Sequence, residues 1–331
     1  MTVLVTGGSG FVGSYVVRDL LRAGHRVLVY DATTRGNAVQ SLLREEPQDG
    51  ALTMAQGAIT DGWLLLRLCQ QFAVDRIVHL ASPLTQDVAR NPPLGIRDVC
   101  EGTATIFEVA RSCRVRRIVW ASSVAVFGQA SAYPGGPIAN DAAHRPLSLY
   151  GSCKSLCETM ATLYRTADGI DSIGLRLTVV YGAGRLRGYM SFPSHIVRDV
   201  VLGRPVTIPF GDQALNWQYV EDVSAMVLTV LDSAAPSSTS IFNTSGDLRT
   251  FREAADVLHR LAPTARIHVN PGVDDGLLDI PMDFDDTVFR QQYEYTPAFS
   301  LERGLHATFE EYQHLVSYSQ TNPTAALETS L

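Results

Sequence analysis

Lysine is almost missing. Of 27 basic residues 26 are arginine, and Lys154 is the single lysine among 331 residues. The two cations serve a solvated surface about equally well, so a chain that writes arginine everywhere else needs at Lys154 a compact ammonium that a guanidinium cannot imitate. Cysteine is also sparse. Cys69, Cys100, Cys113, Cys153 and Cys157 are odd in number and contain no C-x-x-C pair, which argues against a disulfide framework or a zinc site and fits a reducing compartment. No ligand set for any metal stands out. Basic charge is in deficit, 27 against 34 acidic residues, for a net charge of −7 and a pI near 5.6. Nucleic acid and anionic membrane are thereby disfavoured as partners, and a small molecule becomes the default. No apolar run reaches ~18 residues and no charged leader precedes Thr2, so neither a membrane span nor a signal peptide is expected and a cytoplasmic location is.

What is present begins with a short β-branched run, Thr2 to Thr6, closed by Gly7-Gly8-Ser9-Gly10-Phe11-Val12-Gly13 and followed by Val16, Val17, Leu20 and Leu21 at helical spacing. That is a strand, a glycine loop and a helix. Such a loop lets a pyrophosphate approach the backbone, and the helix N-terminus offers it free N–H groups and partial positive charge. A second buried strand follows over Arg26–Tyr30 and ends at Asp31, 18 residues after Gly13. A carboxylate there hydrogen-bonds the adenosine ribose and repels a 2′-phosphate, so NAD is expected over NADP. Arg35 is the residue that could still neutralise such a phosphate.

Strand and helix then alternate through Leu52–Gln56, Trp63–Phe72, Arg76–Leu80, Val99–Arg111, Arg117–Ala121 and Ser172–Leu177. This pattern predicts an α/β protein with a parallel sheet wound on both sides, a Rossmann-type arrangement with ligands at the carboxyl ends of the strands. Regularity fails after Val179-Val180-Tyr181-Gly182. Residues 1–178 are read as the dinucleotide domain, with 213–245 returning to it. Residues 179–212 and 246–318 form a smaller C-terminal α/β substrate lobe, and 319–331 a frayed tail. Phe210 to Gln213 is read as a polar loop ahead of Asn216 to Val223, where a helix ending near Leu231 begins. The centre of interest is Tyr150-Gly151-Ser152-Cys153-Lys154. On a helix, residues four apart share a face, close enough for the ammonium to favour a phenolate.

Five segments in order give a specific resemblance: Thr6 to Gly13, His79-Leu80-Ala81-Ser82, Ser122 to Gly128, Tyr150 to Lys154, and Leu175 to Gly182. Over about Met1 to Leu315 the sequence resembles an extended short-chain dehydrogenase/reductase of the NAD-dependent epimerase/dehydratase group. The resemblance implies Tyr150 as general base or acid, Lys154 on the nicotinamide ribose, and Ser123 on the reacting oxygen. It also implies Gly7, Gly10, Phe11, Val12 and Gly13 at the pyrophosphate, Asp31 and Ala32 at the ribose, and Ala58 and Ile59 at the adenine. Leu80, Ala81, Ser82, Ala121 and Thr178 would border the rest of the cofactor, and Ser82 the substrate as well. A homodimer is implied by the resemblance alone.

Departures from the family pattern narrow the chemistry. Sugar dehydratases of the group carry Asp-Glu directly after the catalytic hydroxyl residue, where this chain has Val124-Ala125, so a dehydratase is not expected. Nucleotide-sugar epimerases usually place Asn where Val179 stands and Arg where Asn216 stands, and neither side chain here can grip a diphosphate in the same way. A small polyol, sugar acid or hydroxy acid is therefore expected as substrate, oxidised at a secondary alcohol or formed from the ketone. Arg185 and Arg187, just past a strand end, are candidates to clamp a carboxylate, the bland alternative being two solvated loop arginines. Two rivals stay open: a nucleotide-sugar 4-epimerase, and a non-catalytic NAD(P)-sensing protein. Cys153 and Cys157 read as packing, His79 as a strand-end hydrogen bonder, and Asp283, Asp285 and Asp286 as a helix N-terminal region.

Overall fold

The strand Thr2–Thr6 (β1) is buried along its whole length, and its neighbouring residues sort to different cores, Val3 and Val5 to one and Leu4 to the other. A strand covered on both faces belongs inside a parallel sheet, because crossover helices must lie above and below it. The structure is a computed structural model and describes residues 1–33, 42, 50–234, 240–277 and 279–321. The strands that follow are Arg26–Asp31 (β2), Leu52–Gln56 (β3), Arg76–His79 (β4), Arg117–Ser123 (β5), Ser172–Leu177 (β6), Val179–Tyr181 (β7) and Val206–Ile208 (β8). Ala214–Tyr219 (β9), Ile241–Asn243 (β10), Asp247–Thr250 (β11) and Ile267–Val269 (β12) complete the set. Seven of them make one parallel sheet in the order β10-β6-β5-β4-β1-β2-β3.

Helices cover both faces. Val16, Val17 and Leu20 of the helix Phe11–Arg22, with Val223, Val227 and Val230 of Val220–Asp232, pack on the Val3–Val5 side. Leu65, Ile106, Phe107, Cys153, Cys157 and Ala161, from the helices Gly62–Gln71, Gly102–Cys113 and Leu149–Asp168, pack on the Leu4 side. Burying side chains of this size stabilises by roughly 1.5–3 kcal/mol each, which makes the sheet a rigid platform. Register then decides what protrudes. β4 ends at His79, opposite Trp120, while β5 continues through Ala121, Ser122 and Ser123 alongside β6. The hydroxyl end of β5 therefore overhangs its neighbour at the carboxyl edge of the sheet.

Two small sheets lie outside the large one, β11-β9-β7 and β12-β8. The sequence places the start of a helix within Asn216–Val223, and the structure has β9 up to Tyr219, with the helix beginning at Val220. Asn216 and Gln218 of β9 are buried, and they tolerate burial because Ser245, Met282, Thr178 and Thr244 supply hydrogen bonds from distant parts of the chain. The helix expected over Val99–Arg111 is longer on its N-terminal side. Asn91 caps a first turn over Pro92–Ile96, and a wide π-turn over Arg97–Glu101 joins it to Gly102–Cys113. The last helix spans Leu301–Thr321, so residues 319–321 of the expected frayed tail are helical, and 322–331 lie outside the described residues. No helix among the described residues is long and apolar enough to cross a membrane.

Candidate functional site

At the carboxyl edge of the large sheet lies a cleft of about 1470 Å³, bordered by the glycine loop and by residues within 179–190 and 280–284. That exceeds the ~300–1,000 Å³ of an ordinary small-molecule pocket and leaves room for a dinucleotide with a second ligand. Gly7, Gly10, Phe11, Val12 and Gly13 line it where the helix Phe11–Arg22 begins. The close approach is built in at Gly13, where a Cβ would come within 2.1 Å of the Gly7 carbonyl oxygen. Any side chain would push the loop away from the helix and close the cradle. Asp31, at the end of β2, accepts from the Ser9 amide at 3.1 Å and the Thr33 amide at 3.3 Å. Burial pushes its carboxyl up, and those backbone donors pull the other way. Ala32, Ala58 and Ile59 border the same end, and Leu80, Ala81, Ser82, Ala121 and Thr178 the middle. Arg35 lies outside the described residues. A glycine cradle at a helix N-terminus with a carboxylate at the next strand end fits an adenine dinucleotide that carries free ribose hydroxyls.

Ser123, Tyr150 and Lys154 meet at the far side of that middle section. Ser148 caps the helix Leu149–Asp168 by accepting from the Gly151 amide, which fixes where its first turn points. Lys154 is 3 % exposed, its Nζ donates to the Ala121 carbonyl at 2.8 Å, and it stands 5.7 Å from the centroid of the Tyr150 ring. One of three N–H donors is thus engaged and two remain for the cleft. Ser123 Oγ accepts from the Ala125 amide at 3.1 Å, leaving its proton to be donated. Val124 and Ala125 follow at the cleft wall, so no carboxylate comes directly after Ser123.

Sequence reasoning missed the network behind this cluster. Glu158, one turn beyond Lys154, is 3 % exposed and receives Ser122 Oγ at 2.5 Å, Arg176 Nε at 2.9 Å and Arg176 Nη2 at 2.7 Å, with His144 Nε2 at 3.1 Å. Burial alone would raise its carboxyl, but the bonds from His144, Arg176 and Ser122 and the Arg176 charge bring it down to about 2. Arg176 continues to the Asn140 carbonyl and to Asn243 Oδ1, tying β6 to β10. The signal was available: Tyr150, Lys154 and Glu158 are spaced four apart. His79 is buried between Thr6 Oγ1 at 2.7 Å and Thr103 Oγ1 at 3.3 Å, and burial, aided by the Lys154 charge, lowers it to about 3. Thr103 gives its own proton to the Val99 carbonyl, so the network assigns the His79 proton to Nε2. It is a strand-end hydrogen bonder.

The expected substrate residues separate. Val179 borders the cleft. Asn216 also borders it, yet both ends of its amide are engaged: Nδ2 with Ser245 Oγ and the Met282 carbonyl, Oδ1 with Thr178 Oγ1 and the Gly246 amide. Arg187 is an exposed rim residue 3.6 Å from Asp87, and Arg185 is turned inward with Nη1 on the Val180 carbonyl. Cys153 and Cys157 are buried free thiols, and Asp286 precedes the helix Thr287–Tyr293, where it pairs with Arg290.

Comparison with known proteins places this geometry. The family model described as the NAD dependent epimerase/dehydratase family matches residues 3–245. The chain belongs to that family. A UDP-glucuronate 4-epimerase of Arabidopsis thaliana is 32% identical over 254 residues, covering 72% of this chain and 56% of the relative, so the chain spans only about half the length of that protein. Among solved structures, the UDP-glucose 4-epimerase of Thermotoga maritima superposes with a TM-score of 0.83 at 23% identity, covering 96% of this chain and 100% of that one. An L-threonine dehydrogenase from Cupriavidus necator superposes at 0.80 with 20% identity, covering 94% and 99%. At those identities the superpositions speak for the shared fold.

Proposed function

We propose that the protein is an NAD-dependent oxidoreductase of the extended short-chain type, acting on a secondary alcohol or ketone of a small polar, sugar-like or hydroxy-acid substrate. One observation carries the reading: Ser123, Tyr150 and Lys154 share a single cleft with a glycine cradle and Asp31. A bound nicotinamide would accept or return hydride at the carbinol carbon. Ser123 donates its free proton to the reacting oxygen and fixes its position. Tyr150 takes the hydroxyl proton in oxidation and gives one back in reduction. Lys154, held by Ala121, is the counter-charge for the phenolate and has N–H groups left for a ribose hydroxyl. Residues 1–178 with 213–245 would hold the cofactor, and 179–212 with 246–318 the substrate. Leu149, Leu156 and Leu163 are 38, 48 and 60 % exposed at seven-residue spacing on one helix, which supports a homodimer through that face, testable by light scattering.

A second reading, a nucleotide-sugar 4-epimerase, is favoured by the Arabidopsis relative. Against it stand aliphatic Val179 and the engaged amide of Asn216. Absorbance at 340 nm separates the two when NAD is mixed with polyols, sugar acids and hydroxy acids. An oxidoreductase gives net NADH that Tyr150→Phe reduces by at least about 100-fold, a general acid–base contribution. Conversion of UDP-sugars at C4 without net absorbance change would establish the epimerase instead, and turnover unchanged in Tyr150→Phe would defeat both.

A further inference from the structure

Four cationic side chains line the cleft, and two of them, Arg97 and Arg187, have a carboxylate partner among the described residues. Lys154 is on the Ala121 carbonyl, Arg97 lies 2.9 Å from Asp98, and Arg187 lies 3.6 Å from Asp87. Lys154 and Arg185 have no carboxylate partner among the described residues, and of these two Lys154 stands beside the Tyr150 ring. Arg185 Nη1 reaches the Val180 carbonyl. A half-buried guanidinium without a counter-charge carries a desolvation cost, and this chain has more carboxylates than cations with which to relieve it. Burial lowers it to about 10, and the nearby Tyr150 oxygen pulls upward, so the guanidinium is within electrostatic reach of the residue that trades the proton. A guanidinium has five N–H donors in a planar fork, and the Val180 carbonyl takes one of them.

We propose that Arg185 is the receptor for a carboxylate of the substrate, carried within a few bonds of the carbinol carbon, so that the substrate is a hydroxy or sugar acid. This rests on the oxidoreductase reading, since Tyr150 marks where the carbinol lies. Two carbons between carboxylate and hydroxyl, the unit shared by L-threonine and the uronic acids, suit a cation beside the proton-transfer residue. A diphosphate is the weaker occupant. It would need further donors, and Val179 has none while Asn216 Nδ2 is held by Ser245 and Met282. Arg187, 75 % exposed and beside Asp87, is not the receptor.

Calorimetry on the full chain, with and without saturating NADH, tests this using two pairs of ligands: D-glucuronate against D-glucose, and UDP-glucuronate against UDP-glucose. The wild type is expected to prefer the acid of at least one pair by about 30-fold, the range of a charge-assisted bidentate contact, and the responding pair tells whether the acid is free or nucleotide-linked. Arg185→Gln should bring that preference within about twofold, Arg185→Lys should leave an intermediate value, and Arg187→Gln should leave it whole. Equal binding of acid and neutral sugar in both pairs by the wild type overturns the proposal, as does a preference that survives in both Arg185 variants. Failure to bind NADH while the Arg185-dependent preference persists removes the oxidoreductase reading and leaves the carboxylate receptor standing.

Discussion

Glu158→Gln is the substitution whose consequences can be worked furthest. The wild-type carboxyl sits near 2 in the folded protein against a usual value of 4.5. The difference corresponds to about 3 kcal/mol of stability at neutral pH. Because the folded value is depressed, that stability is present in full above about 4.5 and is lost as pH falls toward 2. Glutamine keeps an acceptor for Ser122 but leaves Arg176, 5 % exposed, without its counter-charge. The expected loss is therefore about 3–5 kcal/mol, the cost of stranding a buried charge. Urea unfolding followed by tryptophan emission reads it, with Trp120 on β5 and Trp217 on β9 reporting on separate sheets. Between pH 5 and 2.5 the wild type should lose stability relative to the variant, the decline due to His79 being common to both. Adding Arg176→Met should recover much of the deficit, since no charge is then stranded. A single-variant loss below about 1 kcal/mol, or a double variant that falls by the sum of its parts, would refute this account.

Asp31→Asn should raise NADP binding relative to NAD by about 10–100-fold, measured by NADPH and NADH fluorescence, because one repelling charge is removed from the end of β2. Gly13→Ala drives a methyl into the Gly7 carbonyl and should abolish dinucleotide binding, while an unaltered Kd would mean that the loop is not the cradle. Asn216→Leu should lower stability by about 2–4 kcal/mol in urea unfolding, since it removes the bonds to Thr178, Ser245, Met282 and Gly246 together. If instead it alters only KM, Asn216 is a substrate contact rather than a brace.

The large sheet and its glycine loop were legible because their signals are local. β1 needs five buried residues and a glycine run, and Tyr150 with Lys154 needs only helical spacing. β9 was not legible, since its polar Asn216 and Gln218 break the apolar signal of a buried strand, and their partners Ser245, Met282 and Thr244 are brought to them only by the fold. The first turn at Pro92–Ile96 was lost for a related reason: proline suggests a break, and only the Asn91 cap at 3.4 Å from the Leu94 amide shows it as a start. Arg185 and Arg187 are indistinguishable on the page of the sequence. Their difference lies in which one finds an aspartate, and Asp87 comes from a helix about a hundred positions away.

The distribution of charge along the cleft explains why one lysine suffices. At the ribose end the ionisable group is Asp31, which favours neutral hydroxyls over a phosphate. Lys154 and Arg185 also line the cleft, each on a backbone carbonyl, and His79 behind Lys154 is kept neutral by burial and adds no charge there. Lysine suits the place where the ammonium must fit under the Tyr150 ring and reach the Ala121 carbonyl, for a planar fork needs more lateral space than a 3 % exposed site allows. Arginine suits the place where a planar anion is to be gripped. The chain as a whole carries a net charge of −7, so an acidic ligand would approach against the mean field, and the cations lining the cleft would have to offset that locally. The scarcity of lysine and the inward turn of Arg185 are thus two aspects of one division of labour, in which each cation is used where its shape, and not merely its sign, meets the need.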